Sequence, residues 1–171
     1  MGEAIDAGYG CEADKIPGWI FDWQKRREYT VEGQRWVTNG HVILAVRGEA
    51  VPDSEALNQA WLPFIAPIRA AHVKATIEAR ADFVVPPSRA YVAPPREGEE
   101  QAPCGEHRAD YRCAVGPFAV ALHYVCLVER LYGAVAWYAP SSAEPVRPVH
   151  ALDSEGRTVA VVMPCAEPVP S

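Results

Sequence analysis

Gly116-Pro-Phe-Ala-Val-Ala-Leu-His-Tyr-Val-Cys-Leu-Val-Glu-Arg-Leu-Tyr-Gly133 is the stretch whose reading decides the fold. Pro117 suits the first position of a helix, where its missing N–H is not needed. From Phe118 to Tyr132 the chain is almost wholly apolar until Glu129 and Arg130, and Gly133 is a stop signal. The pattern predicts a helix over 117–132 that packs against a sheet on much of its girth. Three short β-prone runs follow it: Ala134 to Tyr138, Val146 to Leu152 and Thr158 to Met163, the last two joined by an Asp153 to Gly156 turn. Tyr111 to Val115 reads as a strand just before the helix. The expected class is therefore α+β, mostly antiparallel sheet with one or two packed helices.

Upstream, Tyr29 to Arg47 reads as hairpins. Tyr29-Thr30-Val31 alternates, Glu32-Gly33 is a turn signal, and Arg35-Trp36-Val37 resumes. Asn39-Gly40 is a second turn dipeptide, because both residues tolerate positive φ, and His41 to Val46 is a mostly apolar strand. Pro52, Asp53 and Ser54 form a helix start, with Leu57 and Trp61 on one face, but Pro63 and Pro67 limit its length. Val73 to Phe83 alternates throughout, which predicts a strand with one wet face; a helix is the alternative, since Ala, Lys, Glu and Arg favour helices. Trp19, Phe21 and Trp23 form an aromatic knot read as core packing rather than a base-stacking platform. Residues 1–14 read as a flexible N-terminus, 15–165 as a single domain with a Pro- and Glu-rich loop at 86–104, and 166–171 as a disordered tail.

A chain of 171 residues suits one domain and can bury a core without staples. Its net charge of −6 argues against a broadly basic nucleic-acid surface. No run is apolar enough to span a membrane, and the acidic N-terminal residues do not form a secretory signal, so the expected location is cytoplasmic. Cys11, Cys104, Cys113, Cys126 and Cys165 are an odd set, read as reduced thiols.

Thr38-Asn39-Gly40-His41-Val42-Ile43 and Val161-Val162-Met163-Pro164, with the strand-then-helix step at Val115-Gly116-Pro117-Phe118 between them, resemble segments of bacterial DNA sliding clamps. The part from Glu144 to Pro164 is similar to that family's closing hairpin. The resemblance implies a clamp-like domain, divergent and of phage or mobile-element character. It also implies a role as a processivity factor-like binding module of DNA replication or repair. Its expected partners are the clamp-binding peptides of polymerase or repair proteins, double-stranded DNA, and further copies in a homo-oligomer. By the resemblance, Thr38, Gly40, His41, Ile43, Val162, Met163 and Pro164 belong to an apolar peptide-binding groove, and His123 and Arg130 face DNA. Plain core packing is the other reading of Ile43, Val162 and Met163. The sequence departs from the family at Asn39, where the family has Asp, at Val42, where it has Arg, and at Cys165-Ala166, where it has Met-Arg. Only Arg130 and His123 supply cations on the helix, with Glu129 opposing, which does not favour encirclement of DNA.

Other chemistries fit less well. Cys104, His107 and Cys113 have a C-x2-H-x5-C spacing, but zinc requires four ligands and a fourth would have to come from His123 or Cys126 in the apolar helix. No nucleophile elbow or phosphate-cradling glycine loop is present. Arg26, Arg27 and Arg35 stand near Trp19, Trp23 and Trp36, a mixture that suits single-stranded nucleic acid but is more often ordinary cation–π packing. The sequence therefore predicts a non-catalytic protein with no cofactor and no metal. The alternatives are a small globular adaptor of a mobile element with no DNA role, and a Cys/His-dependent enzyme or zinc protein using Cys113 or His107.

Overall fold

The computed structural model describes residues 8–18, 27–49, 70–80, 83–88, 112–142 and 146–164. The fold is α+β and mostly antiparallel sheet. Its residues fall into two compact units, Met1–Ala79 and Arg80–Ser171.

In the first unit, strands β1 (Arg27–Val31), β2 (Gln34–Thr38) and β3 (Val42–Val46) form a meander, with Tyr29 opposite Trp36 and Val37 opposite Leu44. Glu32 and Gly33 close the first hairpin with φ of 51° and 80°. Positive φ at both central residues matches the right-handed twist of the flanking strands. Tyr29, Trp36, Val37, Leu44 and Val46 are buried and form the core. On the opposite face from Trp36, Arg35 Nη2 donates to both oxygens of Glu28 at 3.1 and 3.2 Å, an ion pair across β1 and β2.

Helix α1 (Ala70–Glu78) packs against β1. This overturns the strand expected from Val73 to Phe83. The period-two alternation arises because small Ala residues separate the charged ones; Ala, Lys and Glu carry high helix propensity, and Val73 and Ile77 lie one turn apart. Val73 is buried and Ile77 half-buried. The N-terminal segment also differs from the loose tail expected over 1–14. From Gly8 onward it lies against the meander: Cys11 N–H donates to the Ala45 carbonyl at 3.2 Å, and Arg47 N–H to the Cys11 carbonyl at 2.9 Å. Gly10, at φ 110°, passes so close to Ala45 that a Cβ would collide with its carbonyl.

In the second unit, β4 (Pro87–Ser88), β5 (Arg112–Val115) and β6 (Phe118–Ala121) pair antiparallel. Helix α2 (Leu122–Tyr132) follows, and then β7 (Ala136–Tyr138), β8 (Val149–Leu152) and β9 (Thr158–Val162), again antiparallel. The helix starts later than expected. Gly116-Pro117 is a hairpin turn rather than a helix start, and Phe118–Ala121 is a strand with all four residues buried. A Cβ at Gly116, φ 59°, would come within 2.9 Å of the Ala139 side chain, so the tight turn depends on glycine. Leu122 to Val128 are buried on every side, and α2 packs against β5, β6 and β9. Gly133, φ 77°, ends the helix by donating its N–H to the Glu129 carbonyl.

Cys11 and Cys113 are buried free thiols, but Cys126 is disulfide-bonded. This corrects the expectation of five reduced thiols. An odd cysteine count does not prevent one pair from joining when the backbone brings two thiols together.

Candidate functional site

The Thr38–Ile43 segment turns as its sequence dictates. Asn39 Oδ1 accepts from the backbone N–H of His41 at 2.8 Å and of Val42 at 3.0 Å, and Thr38 Oγ1 accepts from Gly40 N–H at 3.0 Å. An Asx turn of this kind needs only a short side-chain oxygen, so Asn serves here as Asp would. Thr38 is 1% exposed and braces the turn. Gly40, φ 94°, and His41 are exposed, and Ile43 is half-buried, so these three are presented together at one end of the meander.

Val162 ends β9 in the second unit, and Met163 and Pro164 follow it. Val162 is fully buried and acts as core, Met163 is 40% exposed, and Pro164 is half-buried. Of the two cations placed toward DNA, His123 is 3% exposed and packs on Tyr124, while Arg130 is exposed. Arg130 alone is therefore presented to solvent, one turn from Gly133. Cys104 and His107 of the candidate zinc set lie outside the described residues, as do Trp19, Phe21, Trp23, Arg26, Leu57 and Trp61. Cys126, as a disulfide, has no thiolate to give a metal.

The Asp153 to Gly156 turn has its own charge cluster. Asp153 Oδ1 accepts from the N–H of Glu155 and of Arg157, each at 2.9 Å, and Arg157 Nε donates to Oδ2 at 2.9 Å. Burial alone would raise the Asp153 carboxyl pKa. The Arg157 backbone and side chain, with the Glu155 N–H, outweigh burial and hold it below the usual carboxylate range.

Sequence reasoning missed a cavity of about 200 Å³ in the first unit, lined by Tyr9, Val31, Glu32, Gln34, Trp36, Lys74, Ile77 and Glu78. Tyr9 meets the Trp36 ring edge-on, with centroids 6.0 Å apart. Lys74 Nζ lies 2.9 Å from Glu32 and 3.9 Å from Glu78. The hydrogen bond that Lys74 donates to Glu32 chiefly, then the charge of Glu32 and that of Glu78, holds the Lys74 ammonium pKa above its ordinary value. The missed signal was helical spacing: Lys74, Ile77 and Glu78 stand at i, i+3 and i+4, which share a face only on a helix.

No family model, no curated protein and no solved structure matches this chain. Among the described residues, no helix is long and apolar enough to cross a membrane.

Proposed function

We propose that the chain is a non-catalytic, clamp-like docking module that receives short extended peptides from replication or repair proteins. The observation that carries this reading is the order β6-α2-β7-β8-β9 in the second unit. It is a strand, a buried helix and three antiparallel strands, ending on an accessible Met163-Pro164. Methionine is an adaptable wall for a peptide side chain of the kind extended peptides insert. Fully buried Cys113 fits a core thiol better than a nucleophile that must meet substrate.

Fluorescence anisotropy with a labelled clamp-binding peptide tests the proposal, together with light scattering for the solution mass. Saturable binding that Met163→Ala weakens supports it. A peptide that does not bind the folded protein at any practical concentration sinks it.

One observation favours a second reading, a globular adaptor with no DNA role. A disulfide at Cys126 belongs with an oxidising compartment, whereas a replication factor works where thiols are reduced. Retention of the bond in protein isolated under thiol-blocking conditions would shift the assignment to that adaptor.

A further inference from the structure

The cavity of the first unit uses none of the residues on which the clamp reading rests. Its floor is apolar: Val31 and Trp36 from the sheet, Ile77 from α1, and Tyr9 set against Trp36. Gln34 offers a ligand nothing, because its amide is committed. Its Oε1 accepts from Tyr9 N–H at 2.9 Å, and its Nε2 donates to the carbonyls of Tyr9, Arg35 and Val46 at 2.9 to 3.1 Å. The charged chemistry of the rim is left to Glu32, Glu78 and Lys74, two carboxylates against one ammonium.

Size narrows the occupant. Pockets for drug-sized ligands run to roughly 300–1,000 Å³, and this one, at about 200 Å³, has room for a single long side chain. Charge narrows it further. The rim carries a net single negative charge, and Lys74 already lies between the carboxylates as a tethered cation. An apolar stem with a cationic head matches the apolar floor and acidic rim. Between the two natural cations, a guanidinium has five donors in a plane and can span two carboxylates, whereas an ammonium is a compact point charge.

We propose that this cavity is a recognition site for one arginine side chain of a partner protein, with Glu32 and Glu78 binding the guanidinium and Lys74 acting as a built-in competitor. Glu32 sits at φ 51°, a turn position where Asn, Asp or Gly is the usual occupant. Glutamate there is unfavourable for the hairpin and useful to the site.

The test is an NMR titration of the full chain with N-acetyl-arginine-N-methylamide, with the citrulline analogue as an isosteric neutral control. The arginine probe is expected to shift the Trp36 indole, the Ile77 methyls and the amides of 31–36 and 74–78, and the citrulline probe to do so far less. Glu78→Gln should weaken binding and Lys74→Met should tighten it, each by roughly two- to fivefold, as suits exposed charge pairs. Lys74→Gln is a second variant that keeps a polar side chain, and the unliganded spectra report whether each variant folds. Equal binding of citrulline, shifts centred elsewhere, or no gain on removing the Lys74 charge would overturn the proposal. None of these outcomes depends on His41 or Met163.

Discussion

Gln34 holds the first unit's N-terminal segment to its sheet, and changing it tests the packing reasoning directly. The side chain is 8% exposed and makes four hydrogen bonds, two with Tyr9 and one each with the Arg35 and Val46 carbonyls. Gln34→Leu keeps the bulk and removes all four. It removes one bond to the buried Val46 carbonyl, which its ladder partner Arg35 still faces, at the ordinary net value of about 0.5–1.5 kcal/mol. The two Tyr9 groups are partly buried, so water recovers much of their loss; at the net value for an ordinary hydrogen bond they add about 0.5–1.5 kcal/mol. The expected loss is about 1–3 kcal/mol, read from urea unfolding monitored within the first unit. Gln34→Glu should be worse at neutral pH, because it replaces the donor with an acceptor that faces three carbonyls. Its sign with pH is then fixed. The folded-state pKa of the new carboxyl lies above the unfolded value of about 4.3. The glutamate variant therefore approaches wild type below that pH and loses ground as pH rises through the folded pKa. Amide exchange should quicken most at Tyr9 and less at Arg47, whose N–H is held by Cys11 independently. A loss below 0.5 kcal/mol for Gln34→Leu, or a pH-independent gap for Gln34→Glu, would refute the account.

Other changes have equally definite outcomes. Gly10→Ala forces a Cβ into the Ala45 carbonyl at positive φ, and should cost about 3 kcal/mol or more in denaturant unfolding. Arg27 is 4% exposed, its Nε has no hydrogen-bond partner, and desolvation chiefly lowers its pKa, with Tyr29 opposing. Arg27→Met should leave stability unchanged or raise it by about 1 kcal/mol, and a marked loss would mean that an anion faces this guanidinium. Asp153 contributes stability above its unfolded pKa of about 3.9, lost as pH falls through the lower folded value. Asp153→Ala should remove that acid-side dependence and open the Glu155 and Arg157 turn bonds, seen by amide exchange. Because two of the five cysteines are joined, the denatured but unreduced chain should titrate three thiols, and a count of five would remove the disulfide.

What was legible in the sequence followed from local chemistry with one outcome. Glu32 and Gly33 both take the positive φ their turn needs, Gly40 takes it at the second turn while Asn39 caps that turn with its side chain, and the β8–β9 turn closes on Asp153 as expected. The α2 helix, its Gly133 stop and the strands after it were readable because an apolar run of that length bounded by turn residues has few other homes. Two elements failed for one reason: a pattern was assigned a period without its partners. In α1 the Ala residues are compatible with either period, and packing on β1 selects the helix. In β6, Phe118-Ala119-Val120 has no period of its own, and pairing with Arg112–Val115 selects the strand.

The same limit applies to the candidate sites. Thr38 and Val162 were groove candidates through the resemblance of their segments, yet here one is a hydroxyl that braces a turn and the other a valine buried in a strand. His41 and Met163 are instead exposed side chains. The arginine site was invisible for a deeper reason. Glu32 and Lys74 are 42 positions apart, and no local rule links a hairpin turn to a helix that packs on it. Once α1 is helical, the i, i+3, i+4 set of Lys74, Ile77 and Glu78 faces the Glu32 turn. The placement of one unfavourable glutamate then gains a reason. Glu32→Asn separates the two roles: it should stabilise the hairpin by about 0.5–1 kcal/mol while weakening the arginine probe. A variant that is both more stable and equally avid would show that Glu32 is there for the turn alone.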